Sequence, residues 1–283
     1  MKTILVPCDF STAAIQAVEF AQEIAQASRG QVKVLHIIET RYLYGNGMAG
    51  QPYLFADTSL AVDELIKDAQ KEFEKIKLAL GEGRVPINFL AETGSLIETV
   101  LDVAVRENAD LIVMSSTGAH GLREFFIGSN SERFVRRAPI PVFVTHQMQH
   151  VKDIRDIIVP TSLDLTENEF LTQVKTLQAR FDAILHVLYV NDYPMSLMHD
   201  EEATASLRNY AKFYKLQRYT LNVRRGPNLE KAILDFASKM PGSIIAMSTH
   251  GLKGCEHLLK GSVAEDVVNH TTGTVFTYVN PQN

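Results

Sequence analysis

The chain has 283 residues, of which 46% are hydrophobic and 22% charged, and its formal net charge at pH 7 is −5. This length suits two domains of ordinary size, and the composition is typical of a globular protein with a core in each half. The acidic balance argues against sequence-independent binding of nucleic acid, which needs a basic face.

Targeting and cysteine signals indicate a cytoplasmic protein. The N-terminal stretch 1–6 is too short for the hydrophobic region of a signal peptide, and no segment approaches the ~18 apolar residues of a membrane span. The two cysteines, Cys8 and Cys255, form no disulfide framework. The nine histidines lack metal-ligand spacing, so we predict no structural metal. Because no apolar segment is long enough to span a membrane, we also predict no membrane partner.

Along the first half of the chain, short apolar runs alternate with segments of helical periodicity. These runs predict strands buried on both faces at 4–8, 32–38, 87–91, 111–114 and 142–144. Helices are predicted between them, the first from Ala14 to Ala25 with Gly30 as its C-terminal cap, and others near 57–80, 95–107 and 129–137. Strand–helix alternation predicts a parallel, doubly wound α/β sheet with right-handed crossovers.

The second half repeats this pattern. Its predicted strands lie near 156–160, 183–190, 218–223, 243–248 and 274–279. Its predicted helices lie near 166–179, 200–213, 228–239 and 262–270.

Two sets of landmarks identify the halves as copies of one domain. Pro7 and Pro160 end similar strands 153 residues apart, whereas the three glycines of the later loop, Gly118, Gly121 and Gly128, recur 133 residues further along. The second copy has therefore lost a net 20 residues between the landmarks. We predict two domains, 1–147 and 153–283, joined by a short connector.

A glycine loop after the fourth strand predicts an anion site. Glycines leaving a buried strand let the backbone approach a ligand, and the amides that open the next helix, at 129–131, are donors for a phosphate. Ligands of open α/β sheets bind at the carboxyl ends of the strands, where Asp9 follows the first strand. The alternative needs no ligand, because Ser129-x-x-Glu132 and Ser262-x-x-Glu265 are also capping boxes.

Four segments together resemble the universal stress protein family over nearly the whole chain. They are Ile4-Leu-Val-Pro-Cys-Asp-Phe-Ser11, Val34-Leu-His-Ile-Ile38, the glycine loop from Gly118 to Arg133, and Ala138-Pro-Ile-Pro-Val142. The resemblance implies an adenine nucleotide alpha hydrolase-like fold in each copy. It has a doubly wound five-stranded parallel sheet in the order 3-2-1-4-5, with ATP between the first and fourth strands.

The resemblance also implies roles for residues of the first copy. Asp9 would lie near the ribose and phosphates or their Mg²⁺, and the backbone of Ile37 would meet the adenine edge. Six residues separate Gly121 from Gly128, fewer than in some nucleotide-binding members, although this spacing also occurs in the family. The implied nucleotide-binding set is Pro7, Asp9, Ile37, Gly118, Gly121, Gly128, Ser129, Asn130 and Ser131.

The second copy is predicted to bind nucleotide more weakly. Ser162 occupies the position of Asp9, and Ala264 replaces the hydroxyl of Ser131, while Asp164 offers a carboxylate two residues further along. The weaker site comprises Val190, Gly251, Gly254, Gly261 and Ser262.

The predicted function is that of a stress-response protein that binds ATP, mainly in the first copy, and signals through protein–protein contacts. The alternative is a nucleotide-independent scaffold whose glycine loops are structural. No second carboxylate or histidine beside Asp9 indicates a general base, so at most weak ATP hydrolysis is expected.

The resemblance further implies a pseudo-dimer of the two domains within the chain and a homodimer of chains. Sequence signatures of P-loop, dinucleotide-binding and adenylating enzymes are absent.

Overall fold

The computed structural model describes residues 1–39, 58–81, 85–116, 134–191, 198–250 and 258–280. The chain divides into two compact units, Met1–Leu122 and Arg123–Asn283. The predicted domain limits, 1–147 and 153–283, are defined by the sequence repeat and stay a prediction. None of the helices in the described ranges combines the length and hydropathy needed to cross a bilayer.

The first unit is a parallel sheet with helical connections. Its strands are hydrogen-bonded in the order β3-β2-β1-β4. The elements are β1 (Thr3–Pro7), α1 (Thr12–Ser28), β2 (Gln31–Ile38), α2 (Thr58–Leu80), β3 (Ile87–Thr93), α3 (Leu96–Arg106) and β4 (Leu111–Ser115).

The central strands of this unit have no solvent-facing side. In β1, the side chains of Ile4, Leu5 and Val6 are fully buried, as are those of Leu111 and Ile112 in β4. A strand covered by helices on both faces consists of a continuous run of apolar residues. These strands could therefore be predicted from the sequence.

Helix α1 ends differently from the prediction. Arg29, not Gly30, adopts the left-handed conformation, with φ of 50°. Gly30 serves another purpose, because a Cβ at this position would stand 2.5 Å from the carbonyl oxygen of Lys2. The glycine allows the turn before β2 to approach the start of β1, where the N–H of Gln31 donates to that carbonyl at 2.7 Å.

The second unit holds the second repeat together with the last strand of the first. Its strands are ordered β5-β10-β9-β6-β7-β8, so the second repeat follows the predicted order 3-2-1-4-5. Residues 134–137 are helical. The further elements are β5 (Val142–Thr145), a 3₁₀ turn (Val151–Asp153), β6 (Asp156–Pro160), α4 (Asn168–Phe181), β7 (Ile184–Asn191), α5 (Asp200–Phe213), β8 (Tyr219–Arg225), α6 (Leu229–Ala237), β9 (Ile244–His250), α7 (Leu258–His270) and β10 (Thr274–Asn280).

The last strands of the two repeats pair with each other. β5 and β10 are antiparallel, with Phe143 opposite Phe276 and the two ring centroids 5.0 Å apart. Both rings are fully buried. Such pairing covers strand edges that would otherwise be open to association, and it is the arrangement within one chain that the resemblance implies.

Helix α7 begins earlier than predicted, and the capping-box interpretation of the second copy is wrong. The helix starts at Leu258, so Gly261 and Ser262 lie inside it and Ser262 cannot be its N-cap. Glu265, the other residue of the predicted box, forms a two-point ion pair with Arg136, in which Nη2 and Oε2 are 3.2 Å apart. The corresponding box of the first copy, Ser129 and Glu132, lies outside the described residues.

Candidate functional site

The crevice of the first repeat lies where its strand order reverses. From β1 the chain crosses over to β2 and then to β3 on one side of β1, and from β3 it returns to β4 on the other side. The strand order therefore reverses between β1 and β4. The carboxyl ends of such a strand pair form a concave site for ligands. Pro7 ends β1 and Ser115 ends β4, which places both at this edge.

Asp9 is held in place by the turn that leads into α1. Its Oδ1 accepts a hydrogen bond from the N–H of Ser11 at 3.0 Å. The hydroxyl of Ser11 caps the helix by accepting from the N–H of Ala14 at 3.2 Å. An Asx turn that continues into an N-cap fixes both the backbone and the carboxylate. The exposed carboxylate of Asp9 is therefore positioned just beyond the carboxyl end of β1.

The residue after Asp9 adopts a strained backbone conformation. Phe10 has φ of 64°, which is unusual for a bulky side chain. Its ring stacks on the imidazole of His36 with centroids 4.6 Å apart, and Nδ1 of His36 donates to the carbonyl oxygen of Cys8 at 2.9 Å. Leu163 has φ of 67° at the corresponding place in the second repeat, so this turn is part of the fold in both copies.

Cys8 lies between two predicted site residues but is chemically inert in the folded chain. Its side chain is 5% exposed, and its N–H donates to the carbonyl oxygen of Leu35 at 2.8 Å. Burial raises the pKa of the thiol to about 12. Because the thiolate is the nucleophile and the metal ligand, a buried thiol of this kind supports packing.

Three of the predicted nucleotide-binding residues of the first repeat are described, and all three lie at one edge of the sheet. Pro7 and Asp9 are at the end of β1, and Ile37 is two residues past Leu35, the partner of Pro7 in β2. Ile37 is half-buried. The other six, Gly118, Gly121, Gly128, Ser129, Asn130 and Ser131, lie outside the described residues.

The implied nucleotide-binding set does not include the two serines at the end of β4. Ser115 and Ser116 are 7% and 9% exposed at the carboxyl end of the strand next to β1. Two consecutive serines ending an apolar run are the signal that could have identified them, because polar groups at a strand's carboxyl end face the ligand edge.

The second repeat reproduces the backbone of this turn with different side chains. The N–H of Thr161 donates to the carbonyl oxygen of Leu188 at 2.9 Å, as Cys8 does to Leu35. The exposed Ser162 follows, so a hydroxyl stands where the first repeat has a carboxylate. Asp164 instead accepts from the N–H of Thr166 at 2.9 Å, the same local pattern that Asp9 makes two residues earlier in its own repeat.

The predicted second site is described only in part. Val190 lies in β7 and is 8% exposed. Gly261 and Ser262 lie within α7, whereas Gly251 and Gly254 fall outside the described residues. Sequence reasoning missed Glu167, the N-cap residue of α4, whose buried carboxylate lies at this end of the sheet.

Metal binding through protein side chains alone has no support in the described part of the chain. No group of three or more His, Cys, Asp or Glu side chains is assembled there. A single carboxylate such as Asp9 suits Mg²⁺ that arrives with a nucleotide, since Mg²⁺ is commonly held by one or two carboxylates plus phosphate oxygens.

Comparison with known proteins agrees with the fold and the repeat. A model of the universal stress protein family matches residues 1–146 and again 153–278. A universal stress protein of Synechocystis is 24% identical over 294 residues, covering 98% of this chain and all of its own length. Another, from Methanocaldococcus jannaschii, is 29% identical over 144 residues, which are 50% of this chain and 81% of its own.

Solved structures show the same architecture. The crystal structure of a universal stress protein from Archaeoglobus fulgidus has a TM-score of 0.74 at 19% identity and covers 98% of both chains. A putative universal stress protein from Pseudomonas aeruginosa has a TM-score of 0.64 at 15% identity, covering 99% of this chain and 93% of its own. With its adenine nucleotide alpha hydrolase-like α/β fold and two family matches in tandem, the chain belongs to the universal stress protein family.

Proposed function

We propose that the chain is a stress-response protein that binds ATP, mainly in the first repeat, and signals through protein–protein contacts that the nucleotide influences. The observation that carries this proposal is the placement of Asp9, whose carboxylate is fixed by the N–H of Ser11 at the switch point between β1 and β4. In an open α/β sheet this is the usual ligand position. The sequence resemblance to nucleotide-binding family members supports the same ligand.

Each part of the site would act on a different part of the nucleotide. The carboxylate of Asp9 suits the ribose hydroxyls or a phosphate-bound Mg²⁺. The backbone of Ile37 would meet the adenine edge, and the amides from Gly118 to Ser131 would hold the phosphates. ATP would supply the charged triphosphate, whose presence or loss changes the surface offered to a protein partner.

Chemistry on the nucleotide would be slow. A general base needs a free basic atom near the attacked phosphate. Of the titratable groups described beside Asp9, burial keeps the Cys8 thiol protonated, and His36 uses Nδ1 to hold the carbonyl oxygen of Cys8, so Nε2 of His36 is its one basic atom. We therefore propose a binding protein with at most weak ATP hydrolysis.

Isothermal titration calorimetry with Mg-ATP tests the site. Asp9→Ala should weaken ATP binding at least about tenfold, because a charge-assisted contact contributes about 1.5–3 kcal/mol. Ser162→Ala is the matched control, since Ser162 holds the same position in the second repeat. Unchanged affinity in Asp9→Ala, or a greater loss in Ser162→Ala, contradicts the assignment.

A nucleotide-independent scaffold is the second candidate. It is favoured by the strained turn at Phe10 and Leu163, which forms in both repeats whether or not a carboxylate precedes it. The scaffold predicts that Mg-ATP leaves the melting temperature unchanged, whereas binding raises it by mass action. Thermal unfolding with and without excess Mg-ATP separates the two functions.

Assembly and location also stay proposals. We expect a homodimer of chains in the cytoplasm, with the two domains of each chain at 1–147 and 153–283. Analytical ultracentrifugation measures the assembly in solution, and cell fractionation measures the location. A monomer, or recovery outside the cytoplasm, contradicts the respective expectation.

A further inference from the structure

The second repeat has its own switch point, where β6 lies between β7 and β9. β6 pairs with β9 in parallel, with Ile158 opposite Ile245. Three residues beyond that pair, Thr161 follows the end of β6 and Ser248 stands near the end of β9. These positions are the counterparts of Cys8 and Ser115 in the first repeat. The polar groups here define what the second crevice can accept.

A buried carboxylate lies beside Ser248 at this switch point. Glu167 is 6% exposed, and its carboxylate accepts hydrogen bonds from the hydroxyl of Ser248 and, at 3.1 Å, from the hydroxyl of Tyr210. The N–H of Glu167 donates to the hydroxyl oxygen of Tyr214 at 3.0 Å, and that hydroxyl donates to the carbonyl oxygen of Asp164 at 3.1 Å. Side chains from β9, α4 and α5 thus meet at one carboxylate.

The first repeat has no carboxylate at this position. Helices α1 and α4 end at equivalent residues, Ser28 and Phe181, so the shift of 153 places Ala14 opposite Glu167. Both residues are buried, at 2% and 6% exposure, in agreement with this alignment. A methyl group in one copy is therefore replaced by an acid in the other.

The start of the helix has changed to accommodate this acid. Helix α1 begins at Thr12, whereas α4 begins at Asn168, three residues after the position that corresponds to Thr12. The unwound residues bring Glu167 to the N-cap, where its own N–H is taken by Tyr214. An N-terminal amide that could have faced an anion is thus already used within the protein.

We propose that Glu167 closes the second crevice to nucleotides, so that each chain binds one ATP and binds it in the first repeat. The carboxylate and the triphosphate are both anionic, and their repulsion is strong where water is excluded. The hydroxyl of Ser248 donates its hydrogen bond to Glu167, and Ser162 has no carboxylate that could bind a phosphate-bound metal. This inference rests on the proposed ATP binding of the first repeat for its stoichiometry, but the closure has its own test.

Photo-crosslinking of the full chain with an azido-ATP analogue, followed by peptide mapping, locates every bound nucleotide. We expect one nucleotide per wild-type chain, crosslinked within 1–147, and at least about tenfold less crosslinking in Asp9→Ala at nucleotide concentrations below saturation. Adding Glu167→Ala to Asp9→Ala should produce new crosslinking within 153–283, while adding Glu201→Ala, which removes an exposed carboxylate of α5, should not. Crosslinking of the second repeat in wild type, or no gain on removing Glu167, overturns the inference.

The two proposals fail in different ways. If wild type binds no nucleotide, the proposed function fails, and the closure is still judged by whether Glu167→Ala alone gains nucleotide within 153–283. Should Glu167→Ala not fold, Glu167→Gln replaces it, because the amide keeps the shape and removes the charge. A double-mutant cycle of Glu167→Met, which removes both acceptor oxygens, and Ser248→Ala in urea should show a coupling of about tenfold in the unfolding equilibrium. Strictly additive effects mean that the closing contact is not made, which also overturns the inference.

Discussion

His146 connects the stability of the second unit to pH through one buried nitrogen. Its Nε2 is buried and finds no hydrogen-bond partner among the residues that the structure describes. Burial lowers the pKa of the imidazole from 6.5 to about 4, against a smaller opposing effect of a hydrogen bond with the backbone of Val268. The folded chain therefore keeps this histidine neutral at pH values where an unfolded chain protonates it.

The consequence is a loss of stability in mild acid. Above pH 6.5 both states are neutral and His146 has no pH effect; from pH 6.5 down to about 4 only the unfolded state takes up the proton, so folding weakens. The full contribution is at most about 3 kcal/mol. We expect His146→Phe to flatten the pH dependence of urea unfolding in this window, and an unchanged slope contradicts the prediction. His150→Phe, four residues further along, serves as the control.

Gly30 is needed by the connection between α1 and β2 because another strand's backbone passes close to it. The space where a Cβ would stand is occupied by the carbonyl oxygen of Lys2, at 2.5 Å. Backbone atoms at the start of β1 cannot move away without disturbing the N–H of Gln31, which donates to the same carbonyl. The restriction therefore comes from packing and not from the dihedral angles of Gly30.

Replacement of two glycines separates these causes. Gly30→Ala should destabilise the chain by about 1–3 kcal/mol, the usual cost of forcing an atom into a packed region. Gly226→Ala is the matched control, because the nearest atom to its added Cβ would be a side-chain carbon at 3.8 Å, and we expect a change within about 0.5 kcal/mol. Differential scanning calorimetry compares the two, and similar melting temperatures contradict the explanation.

The ion pair between Arg136 and Glu265 connects the helical residues 134–137 to α7. The Glu265 side chain is 7% exposed and that of Arg136 is 29% exposed, so the carboxylate has given up most of its water. A second contact nearby, from the hydroxyl of Thr249 to the carbonyl oxygen of Val135 at 3.2 Å, joins the same segment to β9. The segment that follows the first glycine loop is thereby attached to elements of the second repeat.

Removal of one partner of this ion pair should cost more than removal of both. Arg136→Met leaves the Glu265 carboxylate without its guanidinium, and we expect a loss of about 3 kcal/mol in unfolding free energy. Arg136→Met combined with Glu265→Leu should recover part of that loss, since no buried charge is left behind. Equilibrium urea denaturation measures both variants. A double variant less stable than Arg136→Met shows that the ion pair is not the main interaction.

Across the whole chain, β10 protects the edge of β5 as well as completing its own repeat. β10 lies between β5 and β9, antiparallel to the first and parallel to the second. Loss of β10 would expose two strand edges and the ring of Phe143, and uncovered apolar edges promote aggregation. A C-terminal strand of the second repeat thus stabilises the last strand of the first.

Two truncations test this role. Deletion of 274–283 should lower the melting temperature and increase binding of a hydrophobic dye, because β10 is removed. Deletion of 281–283 leaves β10 intact and should behave like the full chain. Equal dye binding by the two truncated chains contradicts the role assigned to β10.

Most of the secondary structure could be predicted because local patterns determine it. Strands buried on both faces leave continuous apolar runs, and β1 and β6 lie where those runs predict them. The repeat and the strand order of the second copy followed from spacing and resemblance. Asp9 was identified because it follows a buried strand, and the structure adds that Ser11 fixes its carboxylate.

Contacts between distant residues could not be predicted in the same way, because no local pattern records which atoms meet. The sequence predicted that Glu265 is a capping residue, whereas in the structure its partner is Arg136, 129 residues away in the chain. Glu167 carried no signal in the sequence, since its role depends on a serine of β9 and a tyrosine of α5. The amino-acid pattern thus predicted two similar domains with unequal sites, and only long-range packing brought the buried carboxylate of Glu167 to the crevice of the second repeat.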